Sequence, residues 1–206
     1  MGKLVARAAA KEAKREAKKR ALAASAIEAL KCYGYANTTL RDIAAESDLS
    51  LGMLHYYFEN KEQLLIYCVR LYKEAFAAEI GGRLAGITDR QAQIRALAGG
   101  LAASIIDDAD THRLWYDIRN QALFDPVFKP VVAEIEASLI DLVRPLAESP
   151  DDSAQISVLY GAIDGVFRHL LERHLSGVHS SADDLSHAFC NLLGATPPSA
   201  PPSPQG

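Results

Sequence analysis

From Ser50 to Phe58 the sequence reads Ser-Leu-Gly-Met-Leu-His-Tyr-Tyr-Phe, with Leu51, Leu54 and Phe58 at the spacing of one helical face. Ser50, Gly52, Met53, His55, Tyr56 and Tyr57 are left pointing outward or at the ends. A plain solvent face would be rich in Lys and Glu. Here Gly52 and Met53 would let a helix come close to base edges, while hydroxyls and an imidazole can donate to phosphate oxygens and position it. Lys61 adds an ammonium at the start of the next helix, where free backbone N–H groups also suit an anion. Catalytic patterns do not accompany this set. The chain has no G-x-S-x-G, P-loop, H-E-x-x-H or G-x-G-x-x-G. No Glu has a His three residues on, Asp184 and His187 show that spacing once, and His169, His174 and His179 drift around a helix. The sequence therefore predicts no enzyme, no metal site and no cofactor.

The elements that must hold Ser50–Phe58 are helices. Ala and Leu supply 34 and 25 of the 206 residues, and the nine prolines are absent before position 126. Five of those prolines fall in the last ten residues, so 196–206 reads as an extended tail. One long helical pattern spans about 10–33, with Leu22, Ala26, Ala29, Leu30 and Tyr33 on a face and Gly34 as its stop. Thr39 and Asp42 resemble a capping box for a short helix carrying Leu40, Ile43 and Ala44, ending near Glu46 or Ser47. Ser50 caps the third helix, and Asn60 caps a fourth that runs to Gly81-Gly82. Further helices are predicted near 89–106, 111–123, 126–148, 152–175 and 181–193, with Pro145 kinking or ending one of them. The predicted fold is all-α with about nine helices.

Charge is unevenly distributed. Residues 1–73 carry a net +5 and residues 74–206 a net −9, and the first twenty residues alone hold +6. Such a split suits a part that meets a polyanion joined to one that does not. Cys32, Cys68 and Cys190 are an odd number without a CxxC, and are read as reduced, buried small hydrophobes. No run approaches the ~18 apolar residues of a membrane span, and the basic N-terminus lacks the apolar core of a signal peptide. A cytoplasmic protein without membrane contact is expected.

The stretch from Thr39 to Leu64 resembles the DNA-binding segment of TetR/AcrR-type transcriptional regulators. It matches that family's pattern at Thr39, Ile43, Ala44, Leu49, Ser50, Gly52, Leu54, Tyr57, Phe58, Lys61 and Leu64. The resemblance implies a domain order: a basic extension over 1–20, a three-helix helix-turn-helix domain over 21–72 with its motif at 39–58, a helical ligand-sensing and dimerisation domain over 73–195, and the tail. DNA contacts are expected from Thr39, Arg41, Ser50, Leu51, Gly52, Met53, His55, Tyr56, Tyr57 and Lys61. His55 stands where the family usually has a phosphate-contacting Tyr. An imidazole donates more strongly when protonated, so DNA affinity should rise on acidification. Ser47-Asp48 replaces a common glycine in the turn, which Asp tolerates. The basic run is expected to form an arm or helix extension along the DNA backbone or into a minor groove.

For the remainder, the resemblance implies a homodimeric repressor that binds a palindromic double-stranded operator and is released by a small-molecule effector. Aromatic and polar residues suited to a pocket are His112, Trp115, Tyr116, Asn120, Phe124, Phe128, Tyr160, Asp164 and Phe167. The segment with Trp115, Tyr116 and Asp125-Pro126 is faintly similar to choline- and betaine-pathway repressors. The last two helices would form the dimer interface through Ile156, Leu159, Ile163, Val166, Leu170, Leu185, Phe189 and Leu192. The alternative is a helical DNA-binding or scaffold protein whose C-terminal half dimerises and senses nothing.

Overall fold

Gly34 stops the first helix from a left-handed backbone, φ 71°, with its N–H on the Leu30 carbonyl at 2.9 Å. That helix, α1 (Gly2–Tyr33), is longer than its pattern suggested and runs through the basic N-terminal stretch. The computed structural model describes residues 2–34, 38–46 and 50–196. Among them the regular elements are all helical. After α1 come α2 (Leu40–Glu46), α3 (Leu51–Tyr57), α4 (Lys61–Leu84), α5 (Arg90–Asp107), α6 (Ala109–Gln121), α7 (Lys129–Val143), α8 (Ser153–Leu175) and α9 (Ala182–Leu192). The turn residues Ser47, Asp48 and Leu49, and the tail from Pro197, lie outside the described residues.

Two boundaries differ from the sequence pattern. Gly81 and Gly82 do not end α4, which continues to Leu84 and stops before Gly86 at φ 76°. An interior glycine costs only about 1 kcal/mol relative to Ala, too little to break a helix of this length. The single helix expected over 126–148 is instead a 3-10 turn at Pro126–Phe128, then α7, then a second 3-10 turn at Arg144–Leu146. Pro145 lacks the N–H that would continue α7.

The chain forms two compact units, and they are not a simple N-terminal and C-terminal half. One comprises 1–74 with 113–135, the other 75–112 with 136–206. A cut near residue 72 thus marks only one edge, because most of α6 and the start of α7 belong with the N-terminal unit. In that unit Leu22, Ala26 and Leu30 of α1, Ile43 of α2, Leu54 and Phe58 at α3, and Leu64, Leu65 and Cys68 of α4 are buried. Burial pushes the Cys68 thiol up, as expected of an inert core cysteine, and Cys190 in the other unit shifts the same way. In the second unit α5 packs against α8 and α9. Its core includes Ile94, Leu101, Ile156, Ile163, Phe167, Leu171, Leu185 and Phe189.

That core corrects part of the predicted dimer interface. Ile156, Ile163, Leu185 and Phe189 are buried inside the single chain, so they are not a surface for a partner. Leu159, Val166 and Leu170 are half-buried and Leu192 is exposed. The outward face of α8 carries Ser157, Val158, Gly161, Ala162, Gly165 and His169.

Two capping boxes hold short helices. Asp42 accepts from the Thr39 hydroxyl at 2.6 Å and backbone N–H at 2.8 Å, and the Asp42 N–H donates back to Thr39 Oγ1 at 3.3 Å. Ser181 and Asp184 repeat the motif at α9. These bonds, led by the Thr39 and Ser181 hydroxyls, hold both carboxyls below the ordinary value of 3.8. A lowered folded value stabilises the fold above the unfolded value, and that stabilisation disappears as pH falls through the lowered one. The Tm gap between wild type and the Asp42→Asn, Asp184→Asn variant should therefore be present at neutral pH and close in acid below 3.8. Separately, denaturant melts should show Phe189→Ala costing about 3–5 kcal/mol as a core truncation. Exposed Leu123→Ala should stay within about 0.5 kcal/mol.

Candidate nucleic-acid interface

A seven-residue helix cannot hold itself in water. Three contacts within the N-terminal unit fix α3. Ser50 Oγ accepts from the Met53 N–H at 3.1 Å, Leu54 is wholly buried, and the Phe58 N–H closes the last turn on the Leu54 carbonyl at 2.8 Å. The helix start and stop match the sequence pattern. Leu54 and Phe58 turn inward, so Gly52, His55 and Tyr56 are forced out, with Met53 and Tyr57 half-exposed. Tyr56 is 72% exposed and meets Tyr57 edge-on at 4.9 Å, leaving its hydroxyl in solvent. Leu51, assigned to both the inner face and the DNA contacts, is half-buried.

The flanking helices complete the surface. Asn60 Oδ1 accepts from the Gln63 N–H at 2.8 Å and caps α4, which sets Lys61 in its first turn, a position suited to an anion. Arg41 is exposed on α2. Thr39 is exposed too, but its hydroxyl proton is engaged by Asp42, so its role in the structure is to start α2. Ser50 accepts in its cap and keeps its own proton for an outside acceptor.

Sequence reasoning missed a clamp at the C-terminal end of α3. Lys19 of α1 lies over the Tyr67 ring at 4.4 Å and the Phe58 ring at 5.2 Å. The Tyr67 hydroxyl donates to Glu16, and burial, then that bond, push the phenol up to about 12. The i,i+3 and i,i+4 charge pattern of α1 gave no sign of this, because the partners are about fifty residues away. Arg70 of α4 also pairs bidentately with Glu134 of α7 at 2.8 and 3.0 Å.

The predicted pocket residues divide between the units. In the second unit His112 is wholly buried, with Phe76 edge-on at 5.2 Å and Phe167 at 4.6 Å; Phe76 was not foreseen. Tyr160 and Asp164 are half-buried in the same unit. Trp115, Tyr116 and Phe128 are buried in the N-terminal unit, where the Lys73 ammonium sits 5.2 Å from the Trp115 ring. Phe124 is 84% exposed and Asn120 is exposed, so neither lines an interior. A groove of about 510 Å³ in the second unit, lined by Leu146, Val158, Leu159, Ala162 and Leu192 among others, contains none of the predicted pocket residues. Among the described residues no cluster of three or more His, Cys, Asp or Glu could hold a metal. No described helix is long and apolar enough to cross a membrane.

A capped short helix projecting uncharged and hydroxyl side chains from a helical base, behind a second short helix, defines a helix-turn-helix DNA-binding protein. Residues 22–68 match the family model of bacterial regulatory proteins, tetR family. The HTH-type transcriptional regulator BetI of Burkholderia cenocepacia is 24% identical over 88% of this chain and 96% of its own length. That of Agrobacterium fabrum is 35% identical over 31% of this chain and 33% of its own. A TetR transcription regulator from Haloarcula marismortui shares the fold with a TM-score of 0.71 at 18% identity, over 87% of this chain and 97% of that one. The multidrug binding protein EbrR, crystallised with imidazole, gives 0.65 at 22% identity over 90% and 97%. Residues 22–68 thus match the DNA-binding segment of TetR-type transcriptional regulators, and most of the chain is similar to such regulators in sequence and fold.

Two kinds of contact are expected of this surface. Lys61→Ala should weaken binding to all duplexes alike and lower the slope of log K against log salt by about one. Substituting Met53 should change which base pairs are preferred while leaving that slope alone. Ser50→Ala, which removes the cap, should cost about 1 kcal/mol of stability in denaturant melts.

Proposed function

We propose that the protein is a repressor that binds a palindromic operator as a homodimer and lets go when a small molecule enters its second unit. The observation that carries DNA recognition is the outward face of α3, in register with the family's recognition helix. Effector sensing is supported by the interior of the second unit, where a buried imidazole stands between two phenyl rings. It is supported as well by helices α4 and α6, each of which has residues in both units. A ligand that favours one arrangement of those helices would bias the DNA-binding unit by its differential affinity, and by no more.

Dimerisation is supported by α8. Its outward face places Gly161 and Gly165 four residues apart, and a Cβ added at either meets nothing within 4 Å. Beside them Val158 is 72% exposed. Small residues in this array let two helices approach closely, with Leu159, Val166 and Leu170 at its margins. Each dimer would then present two copies of α3 to half-sites a helical turn apart.

Selection of bound duplexes from a random pool, followed by a screen for compounds that release the selected duplex, tests both halves. A palindromic consensus and a releasing compound are expected. A consensus without any releasing compound would favour the dimerising protein that senses nothing. Gly165→Arg should give a monomer by sedimentation and lose operator affinity at least tenfold; an unchanged dimer would place the interface elsewhere.

A further inference from the structure

The N-terminal half of α1 carries a feature outside the segment that the family model matches. Arg7, Lys11, Lys14 and Lys18 follow one another at intervals of four, three and four residues. At 3.6 residues per turn they fall within about 60° of arc, a single stripe along the helix. All four are exposed, and none takes part in an ion pair among the described residues. The acids of this stretch are engaged elsewhere: Glu12 pairs with Arg15 at 3.5 Å, while Glu16 meets Arg20 at 4.0 Å and accepts from Tyr67. The helix thus separates one uncompensated stripe from Arg15, Lys19 and Arg20, which are held by Glu12, by aromatic rings and by Glu16 respectively.

The stripe has a fixed place relative to the recognition helix. Lys19, the residue after Lys18, sits on the rings of Phe58 and Tyr67, and Phe58 is the C-cap of α3. Glu16 is held by Tyr67 of α4. The clamp therefore pins α1 beside the end of α3, and α1 continues from there without a break in its helix to Gly2. At 1.5 Å per residue the stripe is about 16 Å long, roughly the rise of five base pairs.

We propose that this stripe binds the phosphate backbone of DNA flanking the half-site read by α3, extending each protomer's contact as a rigid helix. The proposal rests on the DNA-binding function assigned above. Duplex DNA is the occupant that fits, because it presents a negative charge about every 1.7 Å beside the element to which the stripe is anchored. Such contacts carry no sequence information, and their signature is salt-dependent affinity.

The test compares two variants of equal net charge on the full-length protein: Lys11→Gln with Lys14→Gln on the stripe, and Arg15→Gln with Arg20→Gln off it. Binding to the selected duplex with ten added base pairs on each side is titrated at several salt concentrations. Far-UV circular dichroism establishes that both variants keep their helix. Each lost phosphate contact lowers the salt slope by about 0.9, so the stripe variant should lose about two per bound protomer and the other less than half of that. Trimming the flanks should abolish the difference. Equal slopes for the two variants would overturn the proposal by reducing the stripe to general electrostatics. Stripe-dependent binding to phosphatidylserine vesicles, with unchanged DNA slopes, would overturn it in favour of a membrane surface. Failure of the wild type to bind any duplex would instead refute the DNA-binding function on which the proposal stands.

Discussion

The fold of Leu54 and Phe58 into the N-terminal core is the interaction on which everything else depends. Seven residues of helix have too few internal hydrogen bonds to offset the ordering of their backbone. The segment is helical because two side chains on one face are removed from water and Ser50 satisfies an N–H at the other end. The same burial fixes the rotation of α3 about its axis. With that rotation set, Gly52, His55 and Tyr56 have no direction but outward. The outward face is a by-product of packing: the inward pair decides which residues are left to face solvent.

This is also why the helices and caps around α3 were legible in the sequence. Its caps are local, since Thr39 with Asp42, Ser50 with Met53 and Asn60 with Gln63 each act across three residues. Its periodicity is short and unambiguous. The second unit was less legible for a physical reason. Helix α8 is apolar on more than one side, and local spacing cannot tell a face buried in the same chain from one awaiting another. Ile156, Ile163, Leu185 and Phe189 went to the core, and the small-residue face with Gly161 and Gly165 was left outside. Pairings across about fifty residues, such as Tyr67 with Glu16, were invisible for the same reason. Gly81-Gly82 misled because glycine is a weak breaker inside a long helix whose neighbours pack well.

Charge and burial divide the labour between the two units. Cations gather in the N-terminal unit, on α1, at Arg41 and at Lys61. The second unit encloses an imidazole among aromatic rings. Three helices, α4, α6 and α7, contribute residues to both units.

The central claim is that the outward face of α3 enters a major groove. Methylation interference at guanine N7, an atom exposed only there, reads it directly. Two clusters of interfering guanines on one side of the duplex, centred about one helical turn or a whole multiple of it apart, are what the structure predicts. Interference confined to minor-groove adenine N3, or none at N7, would contradict it.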